Sequence, residues 1–300
     1  MRVLIAGASG LIGNALSTRL RESGHEVRRL VRRAPGTPDE YGWDPPAGRI
    51  DDGAFSGVDG GGGVGAVVNL CGAPLFPARW SAARKQVLLD SRVGPTEVLA
   101  EAVAEHGVPV LLNASAVGFY GDGGARELDE SAPAGTGFLA DMCVAWEAAT
   151  APAERAGARV VRLRTGLVLS GDGGLLGTLK PLFRLALGGK LGSGTQYMPW
   201  ISLADEVAAI GFLLEHDSIS GPVNLTGPAP ATNAEFTREF GRALHRPSPW
   251  WVPGPALKLV IGQAGAEMAL YGQRALPRAL TTAGFRFAHQ DLPSALSAAL

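Results

Sequence analysis

The sequence predicts an α/β fold of the doubly wound kind, with a mainly parallel sheet between helices and a smaller, mainly helical part after it. Three observations carry this reading. A strand, a glycine turn and a helix follow one another within residues 3–21; apolar β-prone runs then alternate with helix-period stretches to about residue 165; beyond that the alternation loosens into a helix-rich pattern.

The first element is the short apolar run Val3-Leu4-Ile5-Ala6, followed by Gly7-Ala-Ser-Gly10-Leu-Ile-Gly13 and by Leu16, Leu20 and Arg21 at helical spacing. A second strand, His25 to Val31, completes a βαβ unit. In such a unit Gly7 permits the tight turn, Gly10 lets the backbone approach a pyrophosphate, and Gly13 lets the helix pack closely on the strand. The helix N-terminus then offers free N–H groups and a positive dipole end to phosphates. Gly7, Ser9, Gly10, Leu11, Ile12 and Gly13 are therefore the expected cofactor-binding turn of a Rossmann-type core.

Cofactor choice is written where the second strand ends. A site for NAD offers Asp or Glu there to the ribose 2′-hydroxyl, whereas a 2′-phosphate calls for Arg. The sequence reads Leu30-Val31-Arg32-Arg33, with no acid. NADP(H) is the expected cofactor, held by Arg32 and Arg33; a merely solvated arginine pair is the alternative.

Further elements follow in order. Val64 to Gly72 reads as a buried strand, Ser81 to Ala104 as a long helix, Val108 to Asn113 as a strand, Phe138 to Ala156 as a helix and Arg159 to Arg164 as a strand. Ligands of such sheets sit at the carboxyl ends of the strands, so the glycine turn, Arg32, Asn69 to Ala73, Asn113 to Ser115 and Arg164 to Gly166 should line one crevice. This adds Leu70, Cys71, Gly72, Ser115 and Arg164 to the expected cofactor contacts. Asp59 to Gly63 reads as a glycine spacer in a surface loop. Past residue 165, Leu176 to Leu187 and Leu203 to Leu214 suggest helices, Pro222 to Leu225 a short strand returning to the sheet, and the tail from Trp250 is helical in period. The expected division is a core over residues 1–165, rejoined by about 200–226, with residues 166–199 and 227–300 forming a substrate-side part.

Composition narrows the function classes. With 46% hydrophobic and 18% charged residues the 300-residue chain can bury a large core, and its net charge of −1 gives no bulk attraction to nucleic acid or to anionic lipid. No apolar run is long enough to span a membrane. The two cysteines, Cys71 and Cys143, suit a reducing compartment, and the scattered histidines form no metal pattern. A cytoplasmic protein, monomeric or homodimeric, with a small-molecule substrate and no metal is expected.

On these motifs the chain resembles the extended short-chain dehydrogenase/reductases, the superfamily that includes nucleotide-sugar epimerases and dehydratases. The resemblance rests on Gly7 to Gly13, Val68-Asn-Leu-Cys-Gly-Ala-Pro74, Asn113-Ala-Ser-Ala-Val-Gly-Phe-Tyr-Gly121 and Pro199-Trp-Ile-Ser-Leu-Ala-Asp205. More narrowly it is similar to an atypical "epimerase family" branch with a C-terminal domain of unknown function, through Arg79-Trp80, Ser91-Arg92, Phe138 to Cys143, Trp146-Glu147, Gly192-Ser-Gly194 and Tyr271 to Pro277. The resemblance implies an NADP(H)-binding fold; it does not imply a known reaction.

The superfamily's chemistry uses a Tyr-x-x-x-Lys pair, in which the ammonium lowers the phenol pKa and holds the nicotinamide ribose. Only Lys85, Lys180, Lys190 and Lys258 exist here, and four residues before them stand Ser81, Leu176, Ala186 and Gly254. The pair is absent. By position relative to Trp146-Glu147, Leu139 and Cys143 occupy the two places. The remaining catalytic candidates are Ser115, which matches the superfamily's Ser/Thr position, and Tyr120, the nearest phenol in sequence. Each has a plain alternative, a strand-end hydroxyl bonding the backbone and a half-buried loop aromatic. Arg79, Lys85, Ser91 and Arg92 would suit an anionic substrate. The expected function is an NADP(H)-dependent oxidoreductase or epimerase-like enzyme of unknown substrate; the alternative is an NADP(H)-binding sensor or interaction protein without catalysis.

Overall fold

In the computed structural model, which describes residues 1–57, 63–75 and 79–300, the apolar run after Met1 becomes strand β1 (Arg2–Ala6), buried at every position but Arg2. Helix α1 (Leu11–Glu22) then buries Gly13, Leu16, Ser17 and Leu20, the i, i+3, i+4, i+7 positions of one face. Strand β2 (Glu26–Val31) returns parallel to β1, with Ala6 opposite Leu30. The chain continues through β3 (Glu40–Asp44) and β4 (Arg49–Ile50), then β5 (Ala66–Asn69), helix α2 (Ala82–Glu105), β6 (Val110–Ala116), helix α3 (Phe138–Ala148), β7 (Arg159–Thr165), helix α4 (Gly174–Arg184), helix α5 (Leu203–Glu215) and β8 (Gly221–Leu225).

These eight strands form one sheet in the order β8-β7-β6-β5-β1-β2-β3-β4, parallel except at the β3–β4 edge. The order reverses between β1 and β5, where Ala6 lies opposite Asn69. That reversal places the crevice of an open α/β sheet at the carboxyl ends of β1 and β5. The return of the 222–225 strand is as expected: β8 pairs with β7 along its whole length.

Both faces of the sheet are covered. On one, Val3, Ile5 and Leu163 pack with Leu16 and Leu20 of α1 and Ile210 and Leu213 of α5; on the other, Leu4, Val67 and Leu111 pack with Leu99, Ala100 and Val103 of α2. Each such fully buried large side chain contributes about 1.5–3 kcal/mol. A third cluster, Leu169, Leu176, Phe183, Trp200, Phe236, Phe240 and Leu296, knits α4 to helices α6 (Asn233–Ala243) and α9 (Leu292–Ala298). Between these come α7 (Gly254–Ile261) and α8 (Gln263–Ala269).

Three expectations are corrected in detail. The helix expected over 138–156 is broken at Ala149-Thr150, because Pro152 lacks an N–H and starts a new short helix, Ala151–Arg155. The tail does not enter as helix: Trp250–Val252 is a strand paired with Gly189–Leu191, as suits two indoles and a β-branched residue. Strands β3 and β4 are extra. The spacer expected at 59–63 lies outside the described residues except for Gly63. Among the described residues no helix is long and apolar enough to cross a membrane.

Candidate functional site

The glycine turn sits at the switch point because β1 ends there and α1 begins there. Gly7 has φ +82°, and a Cβ on it would come 2.8 Å from the Leu70 carbonyl oxygen, so the turn and the exit of β5 touch through a position only glycine fills. A Cβ on Gly13 would lie 2.2 Å from the Gly7 oxygen, which ties the first turn of α1 to the strand. Gly10 caps α1 without any side-chain hydrogen bond, Ser9 and Gly10 are exposed, and Leu11 and Ile12 are half-buried. The helix therefore opens with uncapped N–H groups toward the crevice.

Arg32 and Arg33 part company. Arg33 donates to both carboxylate oxygens of Glu40 on β3, at 2.8 and 2.6 Å. Arg32 is exposed, has no hydrogen-bond or ion-pair partner among the described residues, and lies near enough to Cys71 for its charge to act on the thiol. One arginine is thus taken up by the fold and one is free at the crevice edge. Cys71 itself is half-buried, and burial, opposed only by Arg32, pushes its thiol up to about 12, so it is no thiolate nucleophile at neutral pH.

The β5 exit is shaped from beneath by a polar network that sequence reasoning does not reveal. Asn69 Nδ2 donates to Thr96 Oγ1 at 2.9 Å and to Asn113 Oδ1 at 2.7 Å, while Asn69 Oδ1 accepts from the Cys71 N–H at 3.1 Å. Trp146 Nε1 donates to the same Thr96 hydroxyl at 3.0 Å. Strands β5 and β6 and helices α2 and α3 are locked together under Leu70, Cys71 and Gly72. Ala73 N–H donates to Ser91 Oγ at 3.0 Å, and Arg92 Nη2 donates to the Ala73 carbonyl at 3.1 Å. A Cβ on Gly72 would sit 3.1 Å from the Arg92 Cζ, so the missing side chain makes room for the guanidinium.

Ser115, Tyr120 and Arg164 are brought together, but not as an open catalytic group. Ser115 Oγ donates to Glu147 Oε1 at 2.7 Å. Arg164, opposite Ser115 in the β6–β7 register, donates to the same carboxylate through Nε at 2.8 Å and Nη2 at 2.9 Å, and through Nη1 to the Tyr120 hydroxyl at 3.0 Å. Tyr120 donates to Asn224 Oδ1 on β8 at 2.8 Å. The Arg164 guanidinium also lies 3.5 Å over the Phe119 ring. Against the expectation of a cofactor contact, the donors of Arg164 are taken up by the buried Glu147 carboxylate and the Tyr120 hydroxyl. Tyr120 is 2% exposed, and its phenol is raised above its ordinary pKa by burial, against the pull of Arg164 and Asn224. That is the reverse of what a general acid–base phenol needs.

At the two superfamily positions, Cys143 is fully buried and its thiol is pushed up to about 12, chiefly by burial and then by the nearby Glu147 charge. Leu139 N–H, with Phe138 N–H, donates to the Glu267 carboxylate, so the start of α3 is capped by the C-terminal segment. Among the described residues no group of three or more His, Cys, Asp or Glu could hold a metal ion. Two surface clefts, one beside His25 and Phe212 and one beside Lys180, Ser202 and His289, are not lined by any residue of the glycine turn.

Comparison with known proteins agrees with this geometry. An epimerase family protein of Mycobacterium tuberculosis is 55% identical over 294 residues, covering 98% of this chain and 96% of the relative. The crystal structure of the human epimerase family protein SDR39U1 (isoform 2) with NADPH superposes with a TM-score of 0.88 at 33% identity, over 100% of this chain and 99% of the human one. A nucleoside-diphosphate sugar epimerase from Corynebacterium glutamicum superposes with a TM-score of 0.81 at 36% identity, over 100% of this chain and 58% of that one. Residues 252–299 match a domain of unknown function, DUF1731. Residues 3–225 match the NAD dependent epimerase/dehydratase family, and with the full-length relatives this makes the chain a member of that family.

Proposed function

We infer that the protein binds NADP(H) across the carboxyl ends of β2, β1 and β5, with the 2′-phosphate on Arg32 and the pyrophosphate at Gly10 and the start of α1. The observation that carries this reading is the pairing of an uncapped glycine turn with an exposed Arg32, without a partner among the described residues, just past the acid-free carboxyl end of β2. The human relative crystallised with NADPH supports it. Leu70, Cys71 and Gly72 would border the dinucleotide from the β5 side, with Cys71 within reach of the Arg32 charge. Residues 166–199 and 227–300 form the substrate side, consistent with Glu267 reaching over to the start of α3.

NADPH, when bound, supplies a hydride to a small-molecule substrate. This chain's own residues bind and orient; the proton donor is neither a Tyr-x-x-x-Lys phenol nor a free Tyr120. Ser115 bears on the reaction through the Glu147 carboxylate it shares with Arg164. The test is twofold. NADPH is expected to bind at least tenfold tighter than NADH by calorimetry, and equal affinities would remove the Arg32 assignment. Bound NADPH is then followed at 340 nm against a panel of carbonyl compounds and sugar nucleotides.

A second reading is favoured by one specific observation, the enclosure of Ser115 and Tyr120 in a buried structural network. In it the protein is an NADP(H) sensor that has shed catalysis. Turnover lost in Ser115→Ala supports the enzyme; no turnover across the panel supports the sensor.

A further inference from the structure

Arg92 is a cation without a counter-ion among the described residues. Its side chain projects from α2 into a space closed by Trp146, whose ring lies 5.1 Å from the guanidinium, and by Gly72, and the residue is 8% exposed. Its acceptors are the carbonyls of Leu88 and Ala73 and the Ser91 hydroxyl, all neutral, and its buried Nε has no acceptor. Burying a charge in this way costs several kcal/mol unless it is paired.

A second arginine repeats the pattern. Arg84, two turns earlier on α2, donates to the carbonyl of Pro74, and its Nε is also buried without an acceptor. Positions 84, 88, 91 and 92 recur at i, i+4, i+7 and i+8, which gathers both guanidinium groups and Ser91 on the side of α2 that faces the 72–75 loop. Burial first, and then the charge of Arg84, draw Arg92 below its ordinary pKa, so the two like charges sense each other. No carboxylate pairs with either among the described residues, and the undescribed neighbours Phe76-Pro77-Ala78 carry none. Glu267, the acid brought close by α8, is bonded to the start of α3 and to Gln263. A fold that keeps two arginines of one helix face on neutral acceptors leaves their charge to be balanced by an anion from outside.

We propose that Arg84 and Arg92, with Ser91, form an oxyanion-binding subsite under the Gly72–Leu75 loop that takes the anionic group of the substrate. The ligand is a small molecule carrying a carboxylate or a phosphoryl group; the chemistry the subsite reads is a planar or tetrahedral oxyanion able to accept two guanidinium N–H groups. Its position at the β5 exit, at Gly72 and Ala73, puts that anion beside the crevice and outside the glycine turn that takes the pyrophosphate. The proposal rests on the crevice being the cofactor site, as inferred above, but its test does not.

The probes are oxalate and inorganic phosphate, titrated by calorimetry into the full-length protein saturated with NADPH. Saturation fills the dinucleotide's own phosphate sites, so the heat reports the second anion site alone. Binding of one probe or both is expected, and which one binds more tightly distinguishes a carboxylate from a phosphoryl substrate. Arg84→Gln and Arg92→Gln are each expected to weaken it at least tenfold, and to weaken it more than they weaken NADPH binding, and Arg92→Lys is expected to retain part of it. Should Arg92→Gln fail to fold, the half-buried Arg84→Gln carries the comparison alone. Binding equal in wild type and Arg84→Gln, or no binding of either probe to the wild type, overturns the subsite. If NADPH does not bind, the titration is run on the unloaded protein, where the difference between wild type and Arg84→Gln still decides; that failure then belongs to the cofactor reading.

Discussion

Arg164 of β7 and Glu147 of α3 meet side-on, Nε to Oε1 at 2.8 Å and Nη2 to Oε2 at 2.9 Å, with side chains 5% and 6% exposed. The pair joins the strand next to the sheet edge to the helix that crosses it, and Ser115 and Tyr120 complete its hydrogen bonds. Removing one partner strands the other as a buried charge, which costs about 3–5 kcal/mol. Glu147→Ala and Arg164→Met are each expected to lower the unfolding free energy measured in urea by that amount, and the double variant by less than the sum of the two. Strict additivity would show that the two residues do not act on one another.

Cofactor preference is expected to separate the two neighbouring arginines. A charged hydrogen bond of about 1.5–3 kcal/mol corresponds to roughly ten- to hundredfold in affinity. Arg32→Ser should lose that for NADPH and leave NADH within twofold. Arg33→Ser, whose guanidinium is held by Glu40, should change either affinity less than threefold. Tryptophan fluorescence titration measures both, and an equal loss of NADPH binding in the two variants would contradict the assignment.

Two Gly→Ala changes, one in the glycine turn and one inside a helix, are expected to have opposite signs. In Gly13→Ala the new methyl would meet the Gly7 oxygen at 2.2 Å, so the turn must shift. A loss of about 1–3 kcal/mol and of NADPH binding is expected. Gly211 lies within α5, with Phe212 after it and nothing within 4 Å of a built Cβ. Gly211→Ala should therefore stabilise, by about 0.5–1 kcal/mol, since alanine is the better helix former. Thermal melts of the pair check both directions.

What is legible in the sequence is what local periodicity encodes. Val3 to Gly13 announces itself because strand, turn and helix are contiguous, and each glycine is demanded by a neighbour a few residues away. Arg164 is not legible in this way. Its position at the end of β7 points to the crevice, but strand alternation turns its side chain toward α3, and the partner that claims it, Glu147, lies on a different element. Arg33 is likewise claimed by Glu40 on β3, a strand whose mixed Glu-Tyr-Gly-Trp-Asp sequence gives no alternating apolar signal. Arg92 is visible as a charge on a helix; that it lacks an acid is a property of the folded neighbourhood alone.

Glu206 gives the protein a pH dependence with a definite sign. It lies on α5 with no exposed surface, Thr165 Oγ1 donates to its Oε1 at 2.9 Å, and its Oε2 has no partner among the described residues. Burial, opposed only by that one hydrogen bond, pushes the carboxyl up from its ordinary 4.5 to about 8. Below pH 4.5 the folded and unfolded chains both hold the proton, and the group costs nothing. Between pH 4.5 and 8 the unfolded chain releases the proton while the folded one keeps it, so this group makes stability fall as pH rises, with the full cost reached above pH 8. Glu206→Gln keeps the shape, cannot ionise, and removes that slope. Its urea midpoint is expected to match the wild type near pH 4.5 and to exceed it near pH 8.5; identical pH profiles for the two proteins would show that Glu206 is ionised in the folded state.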